Sequence, residues 1–178
     1  MTGSVHVDVD APAELVFLLV RDPLRWERLL PHYSRSRLVR RERDGSVVAA
    51  FVARRSLVPW LGLELPVAWR SRSWNDPASR RLHFHHLGGA TDGMHATWEI
   101  EQRHGGCRVT IEHSYPPRRR VFAMVVDRLF ARPIAGRTLA TFKAIAEALA
   151  ADRLVPASGA AADGQRESGE ATATKSSV

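Results

Sequence analysis

Apolar and polar residues alternate at the start of the chain. Val5, Val7 and Val9 share one side of a predicted strand, and polar residues lie on the other side. Pro12 then fits the first turn of a helix, and a second short helix begins near Asp22. This segment therefore predicts one strand followed by two short helices.

The middle of the chain, from Tyr33 to Tyr115, has a period of two with turn-forming residues between the apolar runs. The pattern predicts six strands, at about residues 34–43, 46–57, 64–74, 80–87, 94–103 and 107–115. Proline and glycine interrupt the stretch from Leu57 to Leu63, which predicts a loop or bulge with Trp60 at its apolar tip. Short turns between successive strands indicate an antiparallel meander.

Helical spacing returns near the end of the chain. Apolar residues recur at intervals of three and four between Phe122 and Leu149. Pro133 lies inside this segment, and an internal proline removes a backbone hydrogen bond. We therefore predict one long C-terminal helix, bent or interrupted near Arg132. The complete pattern predicts an α+β fold in which a seven-stranded antiparallel sheet curls around this helix and leaves a hollow beneath it.

The composition fits one globular domain. The sequence has 178 residues, of which 44% are hydrophobic and 25% are charged. Residues 1–152 form the predicted domain, and residues 153–178 are small and polar enough to predict a disordered tail. Cys107 is the single cysteine, which excludes an intramolecular disulfide. No apolar run has the length of a signal peptide or a membrane span, so the expected location is the cytoplasm.

The formal net charge is +7, and almost all the basic residues are arginine. These arginines are scattered in pairs, without the aromatic motif of an RNA-binding sheet, so nucleic acid is not an expected partner. A basic surface would also attract an acidic protein or acidic lipid headgroups.

Four segments carry a family resemblance: DAPAELVFLLVRDPLRWERLLPHY, WRSRSWNDPASRRL, GMHATWEIE and PIAGRTLATFKAIAE. Together with the order of the elements, they resemble the polyketide cyclase/dehydrase branch of the START-like superfamily, from about Val5 to Ala150. The resemblance implies a helix-grip fold that binds a hydrophobic ligand under the C-terminal helix. Because the superfamily includes cyclases, dehydratases, quinone binders and lipid carriers, it leaves the activity open.

Period two places Val67, Trp69, Ser71 and Ser73 on the cavity side of the fourth strand, with arginines on the other side. By the resemblance, Trp69 matches an aromatic residue that lines the pocket of single-domain aromatase/cyclases. Those enzymes usually have an arginine that orients the polyketide carbonyls where this chain has Ser73. Trp69, Ser71 and Ser73 are predicted to contact the ligand.

His113 falls on the same side of the last strand as Val109 and Ile111. A histidine in an apolar cavity stays neutral near pH 7 and suits general acid/base chemistry. The resemblance pairs such a histidine with an aspartate on the final helix, but Thr141 occupies the aligned position, so His113 is expected to lack an acidic partner. The alternative is a histidine at the cavity rim with a satisfied hydrogen bond.

Tyr33 matches a tyrosine near the cavity mouth of the same enzymes. Its hydroxyl either donates a hydrogen bond to a substrate carbonyl or lies in water. Trp26 is predicted to be a core residue, and Trp98 is assigned both to the core and to the pocket. The final helix supplies further candidate ligand contacts, namely Thr138, Thr141 and Phe142.

Three histidines cluster on the fifth strand at His83, His85 and His86, where His83 and His85 share a face. A zinc site needs at least one more ligand, and the sequence offers none at a suitable spacing, so an exposed histidine pair is expected. The glycine-rich segment from Gly88 to Gly93 predicts a flexible loop at the cavity mouth. We expect neither a metal nor an organic cofactor.

The leading hypothesis is a protein that binds a hydrophobic polyketide or aromatic intermediate and promotes cyclisation or dehydration, with His113 and Tyr33 as the catalytic residues. An acidic acyl carrier protein is the expected partner if the substrate arrives tethered. The alternative is a non-catalytic carrier or sensor of a quinone, lipid or aromatic metabolite, which the serine at position 73 and the threonine at position 141 favour. A third interpretation, an interaction module, rests on charge alone.

Overall fold

The computed structural model describes residues 2–61, 63–89, 91–116 and 124–154. Its elements are β1 (Thr2–Val9), α1 (Ala13–Val20), α2 (Trp26–Leu29), β2 (Tyr33–Arg41), β3 (Val47–Val58), β4 (Leu63–Asp76), β5 (Arg81–Gly89), β6 (His95–Arg103), β7 (Gly106–Ser114) and α3 (Arg132–Leu154). The α+β class and all seven predicted strands are confirmed. The predicted tail lies outside the described residues, apart from the end of α3.

One seven-stranded antiparallel sheet contains every strand, in the order β1-β7-β6-β5-β4-β3-β2. Strands β2 to β7 form the predicted meander, and β1 pairs with β7 so that Gly3 lies opposite His113. Strands β3 and β4 extend further than the sequence pattern predicts, because only a short 3₁₀ turn, Pro59–Leu61, interrupts the two strands. The predicted loop around Trp60 is therefore the tip of a long hairpin.

The helical segment before α3 contains a π-helical turn, Asp127–Ala131, which confirms the predicted interruption near Arg132. Pro133 has no backbone N–H to donate to the carbonyl four residues earlier, which favours a local change in helix register. The N–H of Arg132 donates to the carbonyl of Asp127, five residues earlier. The longer hydrogen-bond spacing in this turn changes the rotation of the helical residues before α3. Within the described residues, no helix is long and apolar enough to cross a membrane.

An aromatic cluster forms the core between α2, the sheet and α3. Trp26 lies at its centre, with its ring centroid 5.2 Å from that of Trp98 and 5.6 Å from that of Tyr33. Its indole N–H donates to the carbonyl of Val20 over 3.1 Å, so a buried polar atom is satisfied. As the sequence predicts, Trp26 is a core residue, and one edge of it also borders the cavity described below.

Gly136 offers a stability test inside α3. A Cβ atom at this position would have nothing within 4 Å, and alanine restricts the unfolded chain more than glycine does. Gly136→Ala is expected to raise the free energy of unfolding by about 0.5–1 kcal/mol, measured by urea denaturation. Gly106→Ala is the opposite control, because its Cβ would overlap the carbonyl oxygen of Val9. A loss of stability in Gly136→Ala would contradict the prediction.

Candidate functional site

A cavity lies between the sheet and the start of α3, where the pattern predicts a hollow. Side chains of α2, β2 to β7, the β5–β6 connection and the segment from Phe130 to Thr138 form its wall. The cavity volume is about 70 Å³, which is room for a few water molecules. A guest with several fused rings therefore fits only after side chains of the wall move.

Five polar side chains stand in a wall that is otherwise aromatic and aliphatic: Tyr33, His86, Thr91, His113 and Thr138. A small number of placed polar groups in an apolar pocket is typical of sites that bind and orient a small organic molecule. The position of each group, and the partner that it has, decides the chemistry that is available.

His113 extends from β7 into the cavity and is 4% exposed. Its Nδ1 lies 4.0 Å from Oδ1 of Asp127, and neither atom has a hydrogen-bond partner within the described part of the chain. Burial lowers the pKa of His113 below its ordinary value, the carboxylate of Asp127 opposes this, and Arg132 adds to the lowering. His113 is therefore neutral near pH 7 and lies beside a negative charge.

The expectation that His113 lacks an acidic partner is wrong. The carboxylate comes from the π-helical turn, and not from the position that Thr141 occupies. Asp127 is 1% exposed, and its Oδ2 accepts a hydrogen bond from Nε of Arg132 over 2.8 Å. Gly3 makes room for this carboxylate, because a Cβ there would lie 3.1 Å from Oδ2. The sequence signal is a single acidic residue in the apolar run VVDRLF.

Tyr33 is 6% exposed and borders the cavity, so the alternative with its hydroxyl in open water does not hold. Burial raises the pKa of Tyr33, opposed in part by a hydrogen bond with Thr138. The Thr138 hydroxyl donates to the carbonyl of Ile134 over 2.8 Å and lies 2.9 Å from Nε2 of His32. Tyr33 therefore stays protonated. Because the Thr138 hydroxyl gives its only proton to Ile134, the phenol is the donor in the hydrogen bond between Tyr33 and Thr138.

The sequence analysis missed His86 as a cavity residue. The side chain is buried, its ring is parallel to that of Trp69 at 6.0 Å, and its Nδ1 lies 2.5 Å from Oγ1 of Thr91. Burial lowers the pKa of His86 to about 3, and nearby histidines add to the effect. Parity was the available signal, because His86 shares its side of β5 with the buried Leu82 and Phe84.

The other two histidines of this cluster lie on the outer side of the sheet, half-buried. His83 stacks on Trp74 at 5.2 Å, and His85 stacks on His95 at 4.2 Å. Among the described residues, no group of three or more His, Cys, Asp or Glu side chains is placed to hold a metal ion.

Comparison with known proteins assigns the chain to a family. Residues 2–150 match the family model described as polyketide cyclase/dehydrase and lipid transport. The chain belongs to this family. Comparison with curated protein sequences gives no match.

Solved structures, among them aromatase/cyclases, share the fold of this polyketide cyclase/dehydrase family member. TTHA0849 from Thermus thermophilus has a TM-score of 0.65 at 20% identity, with 84% of this chain and 99% of that chain covered. The ZhuI aromatase/cyclase from Streptomyces sp. R1128 has a TM-score of 0.65 at 17% identity, with 89% and 98% covered. The di-domain aromatase/cyclase BexL from the BE-7585A biosynthetic pathway has a TM-score of 0.58 at 25% identity, with 81% and 45% covered.

Of the ligand contacts predicted on β4 and β6, Trp69 and Trp98 line the cavity, but Ser71 and Ser73 do not. Both serines are buried on the predicted side of the sheet. The Ser71 hydroxyl donates to the carbonyl of His85 over 3.1 Å, and that of Ser73 reaches the carbonyl of Val47 at 3.5 Å. Parity therefore identifies the correct side of the strand. The two serines lie opposite His86 and Phe84, which line the cavity, but their own short side chains do not reach it.

Of the three ligand contacts predicted on α3, one lines the cavity and two do not. Thr138 lines the cavity, whereas Thr141 is half-exposed and its hydroxyl donates to the carbonyl of Arg137 over 2.9 Å. Phe142 is buried against Trp26 and Trp98 and does not border the cavity. Successive helical residues are rotated by about 100°, so only one stripe of α3 faces the open space.

Proposed function

We propose that the protein binds a hydrophobic polyketide or aromatic intermediate in this cavity and promotes its cyclisation or dehydration. The observation that carries the proposal is the neutral His113 beside the buried carboxylate of Asp127, in the wall of an otherwise apolar cavity. The family and the aromatase/cyclases with the same fold support the same general kind of chemistry.

In the proposed reaction, Nε2 of His113 accepts a proton from a carbon that lies between two carbonyl groups. The resulting enolate attacks a second carbonyl of the same chain and forms the carbon–carbon bond. The imidazolium then returns its proton to the new alkoxide, which becomes a hydroxyl. For dehydration, Nε2 takes the remaining proton from the same carbon, the carbon–carbon double bond forms, and the imidazolium gives this proton to the hydroxyl, which leaves as water. Asp127 stabilises the imidazolium electrostatically, since the 4.0 Å separation from Nδ1 is longer than a hydrogen bond.

Tyr33 is the proposed hydrogen-bond donor to the carbonyl oxygen that gains negative charge. Its raised pKa keeps the phenol protonated throughout the reaction, and a hydrogen bond to the developing charge stabilises that charge. The phenol has one proton, so in this step the proton turns from Thr138 to the substrate carbonyl. The aromatic wall supplies orientation, which for a flexible chain is worth several kcal/mol of the barrier.

The alternative is a carrier of a hydrophobic small molecule, without catalysis. One observation favours it: within the described residues no arginine lines the cavity, so the carbonyl-orienting group expected from the aromatase/cyclase resemblance has no counterpart. A carrier needs a matching apolar shape and no proton transfer. Delivery of the substrate by an acidic acyl carrier protein stays a prediction, as does the cytoplasmic location.

Trp69→Ala tests ligand binding under either proposal. Trp69 stacks on Phe51 with ring centroids 5.4 Å apart and forms part of the cavity wall. Its loss is expected to weaken the binding of an aromatic polyketide intermediate by about tenfold or more in a calorimetric titration. Trp74→Ala is the matched control, because Trp74 lies on the outer side of the same strand. Unchanged binding by Trp69→Ala would contradict a ligand in this cavity.

Product analysis separates the enzyme from the carrier. The purified protein is incubated with a poly-β-ketone intermediate, and the products are compared with those of spontaneous cyclisation. A shifted product distribution supports the cyclase. An unchanged distribution, together with retained ligand binding, decides for the carrier.

A further inference from the structure

Large apolar side chains are exposed at the end of the β3–β4 hairpin. We define the hairpin tip as Trp60, Leu61, Leu63 and Leu65. The exposed fraction rises from 38% at Leu65 through 52% at Leu63 and 73% at Leu61 to 84% at Trp60. Single exposed apolar residues are ordinary, but a contiguous set marks an interaction site. The gradient shows that the tip protrudes and does not line a groove.

A second exposed set lies on the helical segment before α3. Met124, Val125 and Leu129 of this segment are 54%, 44% and 44% exposed. The segment meets the base of the hairpin, because the guanidinium of Arg55 lies 5.9 Å from the ring centroid of Phe130. Phe130 is part of the cavity wall, whereas the exposed residues of the two sets are not.

Exposed arginines lie beside the base of the hairpin and on the segment before α3. They are Arg54, Arg128 and Arg137, and Nη1 of Arg137 donates to the carbonyl of Arg54 over 3.3 Å. Glu64 lies 3.7 Å from the guanidinium of Arg54. Arginine buries its aliphatic stem along an apolar surface while its charge contacts anions. The hairpin and the neighbouring segment thus combine protruding apolar groups with exposed arginines.

We propose that the hairpin tip and the exposed segment before α3 dock onto an anionic lipid bilayer. Tryptophan and leucine partition into the boundary between headgroups and acyl chains, and arginines are attracted to anionic headgroups. A protruding tip inserts into a fluid bilayer without a matching groove, whereas a folded protein partner would need one. Docking would hold the hairpin, whose Arg55 contacts Phe130 of the cavity wall, at the bilayer surface. This proposal does not depend on catalysis.

The test is sedimentation of the full chain with phosphatidylcholine vesicles, with and without phosphatidylserine. Binding is expected only with phosphatidylserine, and it should weaken at high salt. Trp60→Ala is expected to reduce binding about tenfold. Trp74→Ala, which removes another exposed tryptophan far from the tip, should bind as the wild type does. Thermal unfolding of each variant verifies that it is folded.

Two outcomes overturn the proposal: absence of binding to phosphatidylserine vesicles, or equal binding of Trp60→Ala and the wild type. Capture of a purified acyl carrier protein through Trp60, without vesicle binding, also overturns it and assigns the tip to a protein partner. Trp69→Ala separates this proposal from the proposed function. Its cavity is altered while the tip is intact, so it should lose ligand affinity and keep vesicle binding.

Discussion

Replacing His113 by glutamine is expected to lower the rate of ring closure promoted by the protein by about 100- to 10,000-fold. Glutamine keeps hydrogen-bonding groups in the cavity wall but cannot accept the proton from the substrate carbon. The measurement is the rate of formation of the cyclised product, after subtraction of the spontaneous rate. Because burial lowers the pKa of His113, the wild-type rate should stay high through neutral pH and fall only on acidification below the ordinary histidine range.

His83→Gln is the matched control, since His83 lies on the outer side of the sheet against Trp74. Asp127→Asn tests the second member of the pair, because it keeps the shape of the side chain and removes the charge that stabilises the imidazolium. Its effect should appear in the rate constant more than in ligand affinity. If His113→Gln formed the same products at the wild-type rate, the catalytic role would be excluded and the carrier would stand.

Acidification from about pH 6.5 to about pH 4 is expected to remove about 3 kcal/mol of folding free energy through His86 alone. In the unfolded chain His86 binds a proton below its ordinary pKa of 6.5, whereas in the fold its pKa is about 3. The unfolded state therefore binds more protons between these values, and stability falls as the pH falls. His32, with a pKa lowered to about 4 mainly by burial, acts in the same direction. Urea denaturation at several pH values measures the effect.

The contribution of His86 is isolated by the slope of the unfolding free energy plotted against pH. His86→Gln should flatten this slope by about 1.4 kcal/mol per pH unit, whatever its effect on stability at neutral pH. An identical slope in the wild type and His86→Gln would show that His86 is not the group responsible.

Local periodicity accounts for what could be predicted from the sequence. Side chains alternate along a strand whatever its neighbours are, so the cavity side of β4 and β7 follows from counting, and Trp69 and His113 are placed correctly. The same rule would have placed His86, whose neighbours at two-residue spacing are apolar. The histidine-rich stretch is instead interpreted through His83 and His85, which share a face and are expected to be an exposed pair.

Counting positions along a strand or helix could not show how far the cavity extends along it. Ser71 and Ser73 lie on the correct side of β4 but do not reach the cavity, which depends on the larger side chains packed around them. Asp127 is displaced from the position expected on an ideal helix, because a π-helical turn changes the rotation of the segment. Neither effect has a local sequence signal beyond the proline at position 133.

That π-helical turn means that backbone register, and not the identity of a side chain alone, brings a carboxylate to the histidine. Deleting a residue from the turn would restore ordinary helical register and rotate the preceding helical residues by about 100°. The aspartate would then point elsewhere. Phe130 and Ala131 lie in the same turn and form part of the cavity wall, so the shape of the cavity would change together with its charge.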